Sequence, residues 1–365
     1  MTKLPLPETT ERIGPFSHQD GISVILCCHN SATRLRDTLE ALSKQYFPEN
    51  PPTELILVDN ASTDSTVSTA QETWRILKAS MPMRVVYESK PGLIHARQTG
   101  ISVANFEILI FCDDDNLFEP DYVMLAYKHF NRRPTLAAMG GFGVPVFEIP
   151  PPAWFSVFAS SYATGSQRIT SESGKTLNLY GAGLAVRKSA LAKLYSTGYR
   201  PMLTGRKGTA LSSAEDTEMT YALVIAGYEL DYDDQMRFRH LLPASRLHFK
   251  YLERLFLSSA VDGPVRNLYH AFATHRRIQA LMKYWPWHFM IALLRIPKYT
   301  INPPKPGYRQ LYFRWSIQYM SSLISLLPQY HGARKNISRI PALANKGTDP
   351  SYAPAKYHKT AGSNR

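Results

Sequence analysis

The sequence predicts an α/β fold, a mainly parallel sheet flanked by helices, with a basic helical extension at its C-terminal end. Three observations lead there. Short continuous apolar runs alternate with apolar residues at helical spacing over the first third of the chain. Polar clusters follow directly on three of those runs. The basic charge is concentrated in the last third.

Ile22 to Cys28 is apolar throughout, as a strand covered on both faces would be. Leu35, Leu39 and Leu42 then repeat at helical spacing. Glu54 to Val58 reads as a second strand, and Val67, Ala70, Trp74 and Leu77 as a second amphipathic helix. Arg84 to Tyr87 gives a third strand, Leu93 to Ala104 a third helix, and Glu107 to Cys112 a fourth strand. This β-α-β-α order requires parallel strands joined by crossovers. Residues 143–178 read as one long loop, Tyr180 to Val186 as a strand, and Glu215 to Ala226 as a helix. Glu229 to Asp231 and Met236 to His240 read as two further short strands.

The 365 residues carry a net charge of +13, unevenly spread. Residues 241–365 hold 19 Lys/Arg and three acids, against 23 bases and 26 acids before them. The two parts therefore face different partners. Met1 to Asp20 lacks the apolar run of a secretory signal, and no stretch approaches the roughly 18 apolar residues of a transmembrane helix. These features predict a cytoplasmic protein. Cys27, Cys28 and Cys112 all lie in apolar runs, which predicts reduced core thiols rather than a structural zinc site. No G-x-G-x-x-G or P-loop follows any strand.

Ligands of parallel sheets bind beyond the carboxyl ends of the strands, where the polar clusters lie. His29-Asn30 ends the first strand, Asp59-Asn60 the second, and Asp113-Asp114-Asp115-Asn116 the fourth. Adjacent carboxylates repel unless a cation neutralises them, and hard oxygens suit Mg²⁺ or Mn²⁺. The competing reading is a solvated acidic turn. Glu215-Asp216 opens a helix, where acids either compensate the helix dipole or act as a general base with a supporting acid. His240 is either a packing residue or a further metal ligand.

The ordered motifs resemble a family 2 glycosyltransferase with the GT-A nucleotide-sugar fold. They are Ser23-Val24-Ile25 leading to His29-Asn30, then Val58-Asp59-Asn60-Ala61-Ser62-Thr63-Asp64, then Lys90-Pro91-Gly92 with Ala96-Arg97-Gln98 and Gly100. Asp113-Asp114-Asp115 matches the D-x-D element, with Pro120-Asp121 after it. Gly181-Ala182-Gly183-Leu184 with Arg187, Glu215-Asp216 with Glu218, and Arg239-His240 complete the series. The resemblance covers about residues 20–245. It implies an inverting enzyme that moves a sugar from a UDP-, dTDP- or GDP-linked donor to a sugar or lipid-linked acceptor, in surface polysaccharide or glycolipid synthesis. By the same resemblance Asp115, with Asp113 and His240, holds Mn²⁺ or Mg²⁺. His29, Asn30, Asp59, Asn60, Arg97, Asp113 and Asp114 take the nucleotide sugar. Gly181, Ala182 and Gly183 lie on the acceptor side. Asp216 is the base, with Glu215 beside it. The family often has Asp where Asn60 stands, a departure that bears on the nucleotide. The alternative is a nucleotide-sugar-binding protein without catalysis. A sugar nucleotidyltransferase is disfavoured because its Gly-rich, Arg-containing loop is missing after the first strand.

These readings divide the chain into an N-terminal extension (1–20), a catalytic domain (21–245), a basic, aromatic-rich helical region (246–341) and a disordered tail (342–365). Tyr284 to Met290 and Tyr312 to Leu326 set aromatic and apolar residues among arginines. Such stretches either pack on the catalytic core or meet an anionic membrane surface, which would make the protein peripheral on the inner face of the membrane. Nucleic acid is the less favoured partner.

Overall fold

The computed structural model describes residues 19–167, 174, 176–206, 211, 214–274 and 283–341. The tail expected to be disordered, and most of the expected N-terminal extension, lie outside the described residues.

Among the described residues eight strands form one sheet. They are β1 (Gln19–Cys28), β2 (Thr53–Asn60), β3 (Met83–Glu88), β4 (Phe106–Asp113), β5 (Asn116–Phe118), β6 (Leu136–Phe147), β7 (Ala185–Arg187) and β8 (Glu229–Leu242). Their order is β3-β2-β1-β4-β7-β6-β8-β5. The first four are parallel, and β6 also runs parallel to β8. The pairs β4–β7, β6–β7 and β5–β8 are antiparallel.

The continuous apolar runs are explained by two cores. Side chains alternate across a strand. Ile22, Val24 and Leu26 of β1 enter one core with Leu55, Leu57, Ile108 and Ile110. Ile25 enters the other with Ile56, Val58, Leu109 and Phe111. Helices α1 (Leu35–Ser43), α2 (Thr66–Leu77) and α4 (Tyr122–Arg132) cover the first face through Leu39, Trp74 and Phe130. Helices α3 (Leu93–Val103), α6 (Lys188–Ser196) and α7 (Glu215–Ile225) cover the second through Ala96, Leu191 and Leu223. A short helix, α5 (Phe155–Phe158), lies between β6 and α6 in sequence.

Among the described residues four helices follow: α8 (Phe249–Ala273), α9 (Trp285–Ile301), α10 (Arg309–Ser325) and α11 (Leu327–Ser338). Tyr269, Tyr319, Leu323, Tyr330 and Ile337 join the same core as Leu223 and Leu191. Much of the aromatic content of these helices is thus packing material. No described helix is long and apolar enough to cross a membrane.

Three expectations need correction. The segment 180–186 is a strand only from Ala185, because Gly181-Ala182-Gly183 make a turn in which Gly183 has φ +68°. The loop expected over 143–178 begins as the end of β6 and continues through α5 and a 3₁₀ turn at Ala159–Tyr162. The two short strands after residue 228 are one strand, β8, whose register against β6 shifts between Gly140 and Phe142. The polar Asp233-Asp234 stretch at that irregularity hid its continuity.

Candidate active site

Beyond the carboxyl ends of β1, β2 and β4 lies a cavity of about 980 Å³. It is lined by Asp113, Asp114 and Asp115, by Glu215 and Asp216, and by His29, Asn60, Arg97, Gly181, Ala182 and His240. The acid clusters, far apart in sequence, face one space because α7 packs on the sheet face that β4 shares.

Arg97 joins them. It is buried on α3, with Nη1 3.1 Å from Glu215 Oε1 and Nη2 3.7 Å from Asp113 Oδ1. Nη2 also donates to Gly181 O at 3.4 Å. Burial works against the Arg97 charge, and Glu215, Asp113 and Asp216 more than restore it. A Cβ at position 181 would lie 2.6 Å from Nη2, so a side chain there would displace the guanidinium from this position.

Glu215 and Asp216 are both buried. Burial, reinforced by Asp216, pushes the Glu215 carboxyl up to about 7, with Arg97 pulling it back. Burial also raises the Asp216 carboxyl, against the pull of Arg97 and of backbone N–H groups. Asp216 accepts from Thr217 N at 2.6 Å on one oxygen and from Gly181 N on the other. Both oxygens are therefore oriented at the cavity wall.

The antiparallel pairing of β5 with β8 places Asn116 opposite His240. That register puts His240 Nε2 3.5 Å from Asp115 Oδ1, while Arg246 Nη1 lies 2.9 Å from Asp115 Oδ2. Burial raises the Asp115 carboxyl, but His240 and Arg246 outweigh it and hold the group well below the usual range. Asp114 instead pairs with Arg34 at 2.6 Å and accepts from the Ser31 hydroxyl. Among the described residues no cluster of three or more His, Cys, Asp or Glu could hold a metal by itself. A divalent cation of the Mg²⁺ type uses one or two carboxylates and completes its shell with water and diphosphate oxygens. Asp113 and Asp115 fit that demand. His240 Nε2, 3.5 Å from Asp115 Oδ1, is a further donor atom there.

The remaining predicted residues shape the rim. His29 Nδ1–H donates to Asn60 O at 2.7 Å. Asn30, at φ +50°, accepts from Thr63 N at 2.8 Å and ties the loop after β1 to the loop after β2. Asp59 is buried, accepts from Ser62 N at 3.4 Å, and does not line the cavity. The Asn60 carboxamide is committed to the β3–α3 loop. It donates to Glu88 O at 3.2 Å and Lys90 O at 2.7 Å, and accepts from Gly92 N at 2.8 Å. Gly183 also turns away from the cavity, its carbonyl accepting from Tyr122 Oη at 2.5 Å. Cys27 lines the wall, but burial pushes its thiol up to about 12 and keeps it protonated.

Arg34 and Arg246 were not singled out by sequence. Three adjacent acids demand counter-charges, which was the available signal, but only the fold shows which arginines supply them. Arg206 and Arg266 complete a basic side of the cavity.

Residues 23–195 match the family model described as Glycosyl transferase family 2. The poly-beta-1,6-N-acetyl-D-glucosamine synthase of Staphylococcus epidermidis is 28% identical over 123 residues, 33% of this chain and 28% of that protein. Glycosyltransferase GlyA of Streptococcus pneumoniae serotype 4 is 30% identical over 111 residues, 30% of this chain and 15% of that protein. The matched stretch thus spans well under half of either relative. Among solved structures, Staphylococcus aureus TarS 1–349 in complex with UDP-GlcNAc gives a TM-score of 0.48 at 17% identity, over 88% of this chain and 89% of that one. Mannosyltransferase PcManGT from Pyrobaculum calidifontis, in complex with GDP-Man and Mn²⁺, gives 0.46 at 19% identity, over 93% and 91%. The family match extends from β1 to α6 and takes in the acid cluster at the end of β4, so residues 23–195 are similar to glycosyl transferase family 2.

Proposed function

We propose that the protein is an inverting, divalent-cation-dependent transferase that moves a sugar from a nucleoside-diphosphate donor to an acceptor hydroxyl, in polysaccharide or glycolipid assembly. The observation that carries this reading is the convergence on Arg97: the acids ending β4 and the acid pair opening α7 meet across one guanidinium in one cavity. This supports a reading in which a cation-binding edge and a base-bearing edge border one cavity. Relatives of this chain include a poly-N-acetylglucosamine synthase, which supports a polysaccharide product.

In this reading Asp216 takes the proton of the acceptor hydroxyl as the new bond forms. Its two oxygens are held by Thr217 and Gly181 N–H groups, so it need not reorganise. Glu215 stays paired with Arg97 and supports it. A cation bound by Asp113 and Asp115, with His240 beside them, would neutralise charge on the departing diphosphate. Arg97, Arg206 and Arg246 supply fixed positive charge at the same wall. Asp59 and Asn60 act on the base through the loops they hold, since the Asn60 carboxamide is already used. An attack opposite the leaving group inverts the anomeric carbon.

A donor screen tests the reading. UDP, dTDP or GDP release from a panel of sugar nucleotides is measured with and without Mn²⁺. One donor should stand out, and only with the cation. Tight binding of a donor without turnover, across a panel of acceptors, would leave a binding protein instead.

A further inference from the structure

Helices α9 and α10 are apolar on two sides. On α9 the inward side is His288 and Ala292, fully covered, with Trp285, Phe289 and Ile296 packed against the core. Trp285 Nε1 donates to Leu323 O at 3.1 Å, and His288 Nε2 lies 2.5 Å from Tyr319 Oη. These contacts account for one stripe. A second stripe of Trp287, Met290, Leu294 and Ile301 recurs at three, four and seven residues along the opposite side of the helix. It faces water: Trp287 is 54% exposed, Leu294 66% and Ile301 77%. The neighbouring α10 repeats the arrangement, with Phe313, Ile317 and Ile324 exposed at spacings of four and seven.

A soluble helix rarely leaves such stripes uncovered, so something covers them. The charge around them selects the occupant. Residues 246–341 hold 15 Lys/Arg and two acids. Of the acids, Glu253 pairs with Arg314, and Asp262 is buried. Lys298 is exposed one turn before Ile301, Lys305 is exposed between the two helices, and Arg309 is exposed at the start of α10. A second copy of this chain would bring two equally basic faces together. A polyanion such as nucleic acid would meet the lysines but gain nothing from Leu294 or Ile301. An anionic bilayer surface satisfies both features at once, acyl chains for the stripe and headgroups for the bases.

We infer that the outer faces of α9 and α10 dock the protein on an anionic lipid surface. The helices lie in the interface and do not span it. Trp287 sits at headgroup depth, where its ring has an apolar body and a polar N–H. Leu294 and Ile301 enter the acyl boundary, and Lys298 and Lys305 reach the phosphates.

Cosedimentation of the full chain with vesicles tests this. Phosphatidylcholine vesicles are compared with vesicles containing about one third phosphatidylglycerol, at low and high salt. Binding should need the anionic lipid and weaken with salt. Leu294→Ser with Ile301→Ser should cut the partition coefficient about tenfold or more. Lys298→Glu with Lys305→Glu should cut it comparably. All four positions are exposed, so circular dichroism and nucleotide release without vesicles should stay unchanged. Equal binding to both vesicle types would overturn the inference. So would absence of binding, whether or not the wild type self-associates in light scattering; self-association lost in the Leu294→Ser, Ile301→Ser variant would assign the face to a second copy.

Discussion

Arg97 Nη1 lies 3.1 Å from Glu215 Oε1, and this buried ion pair is the link between α3 and α7 at the cavity. It sets the protonation of the acid pair. Burial and Asp216 push Glu215 up to about 7, and Arg97 opposes them. A base works only when ionised, so the rate should fall as pH drops through the titration of the Glu215–Asp216 pair. Arg97→Gln removes the opposing charge. The acidic limb of the kcat profile should move to higher pH, and turnover at pH 7 should fall by about 10²-fold. If the limb stays in place, it belongs to another group.

Asp216→Asn separates chemistry from binding. Asparagine keeps one oxygen to accept a backbone N–H but removes no proton from an acceptor. Turnover should fall by roughly 10²–10⁴-fold. Donor affinity by calorimetric titration should be nearly unchanged. Equal loss of donor binding would make Asp216 a donor-side or structural residue.

The pattern of residues foretold the parallel half of the sheet because each strand there is covered on both faces and therefore apolar throughout. It did not foretell β5, three residues long, or β6, in which Gly140, Gly141, Gly143 and Pro145 break any period. Cavity-lining residues were legible where they follow a buried strand, as Asp113 to Asp115 do. The partners of those residues were not. Arg246 reaches Asp115 only because β8 pairs with β5 and the chain then turns back, a relation between segments distant in sequence. Asn60 shows a subtler limit. Its type was read as a departure at the base-binding corner, but its amide has a local task that only coordinates reveal.

Asp115 tests the cation. His240 and Arg246 keep its carboxyl ionised throughout the working range despite burial. Asp115→Asn should lower turnover by about 10²-fold or more with the fold retained. In the wild type, EDTA should abolish nucleotide release, and Mn²⁺ or Mg²⁺ should restore it. Full activity in EDTA would remove the cation from the mechanism.

Asn60→Asp tests the loop clamp. Its amide donates to two carbonyls, Glu88 O and Lys90 O. A carboxylate there would face both carbonyls without a proton to offer. The cost should be about 1–3 kcal/mol of stability, read as a lower midpoint in urea. Donor affinity should also weaken, since Gly92, which binds Asn60 Oδ1 and opens α3, lines the cavity. Wild-type stability and affinity in the variant would mean that the loop holds without the clamp.

Asn336 tests how far the C-terminal helices support the catalytic core. From α11 its Nδ2 donates to Arg200 O at 2.6 Å and to Tyr269 Oη at 3.0 Å, and its Oδ1 accepts from Arg200 N at 3.0 Å. Two residues on, Met202 N and Leu203 N donate to Glu218 of α7 at 2.9 and 2.7 Å. One side chain therefore fixes the segment that holds the helix carrying Glu215 and Asp216. Asn336→Ala leaves the Arg200 N–H and carbonyl without these partners, at about 1–3 kcal/mol for each group that water does not reach. The urea midpoint should drop clearly, while the pH profile of turnover keeps its shape, because no ionisable group is changed at the cavity. A drop in midpoint alone supports a clamp on the fold. A moved acidic limb would show that α11 also sets the position of the acid pair, and an unchanged midpoint would show that the segment is held by Glu218 without help from α11.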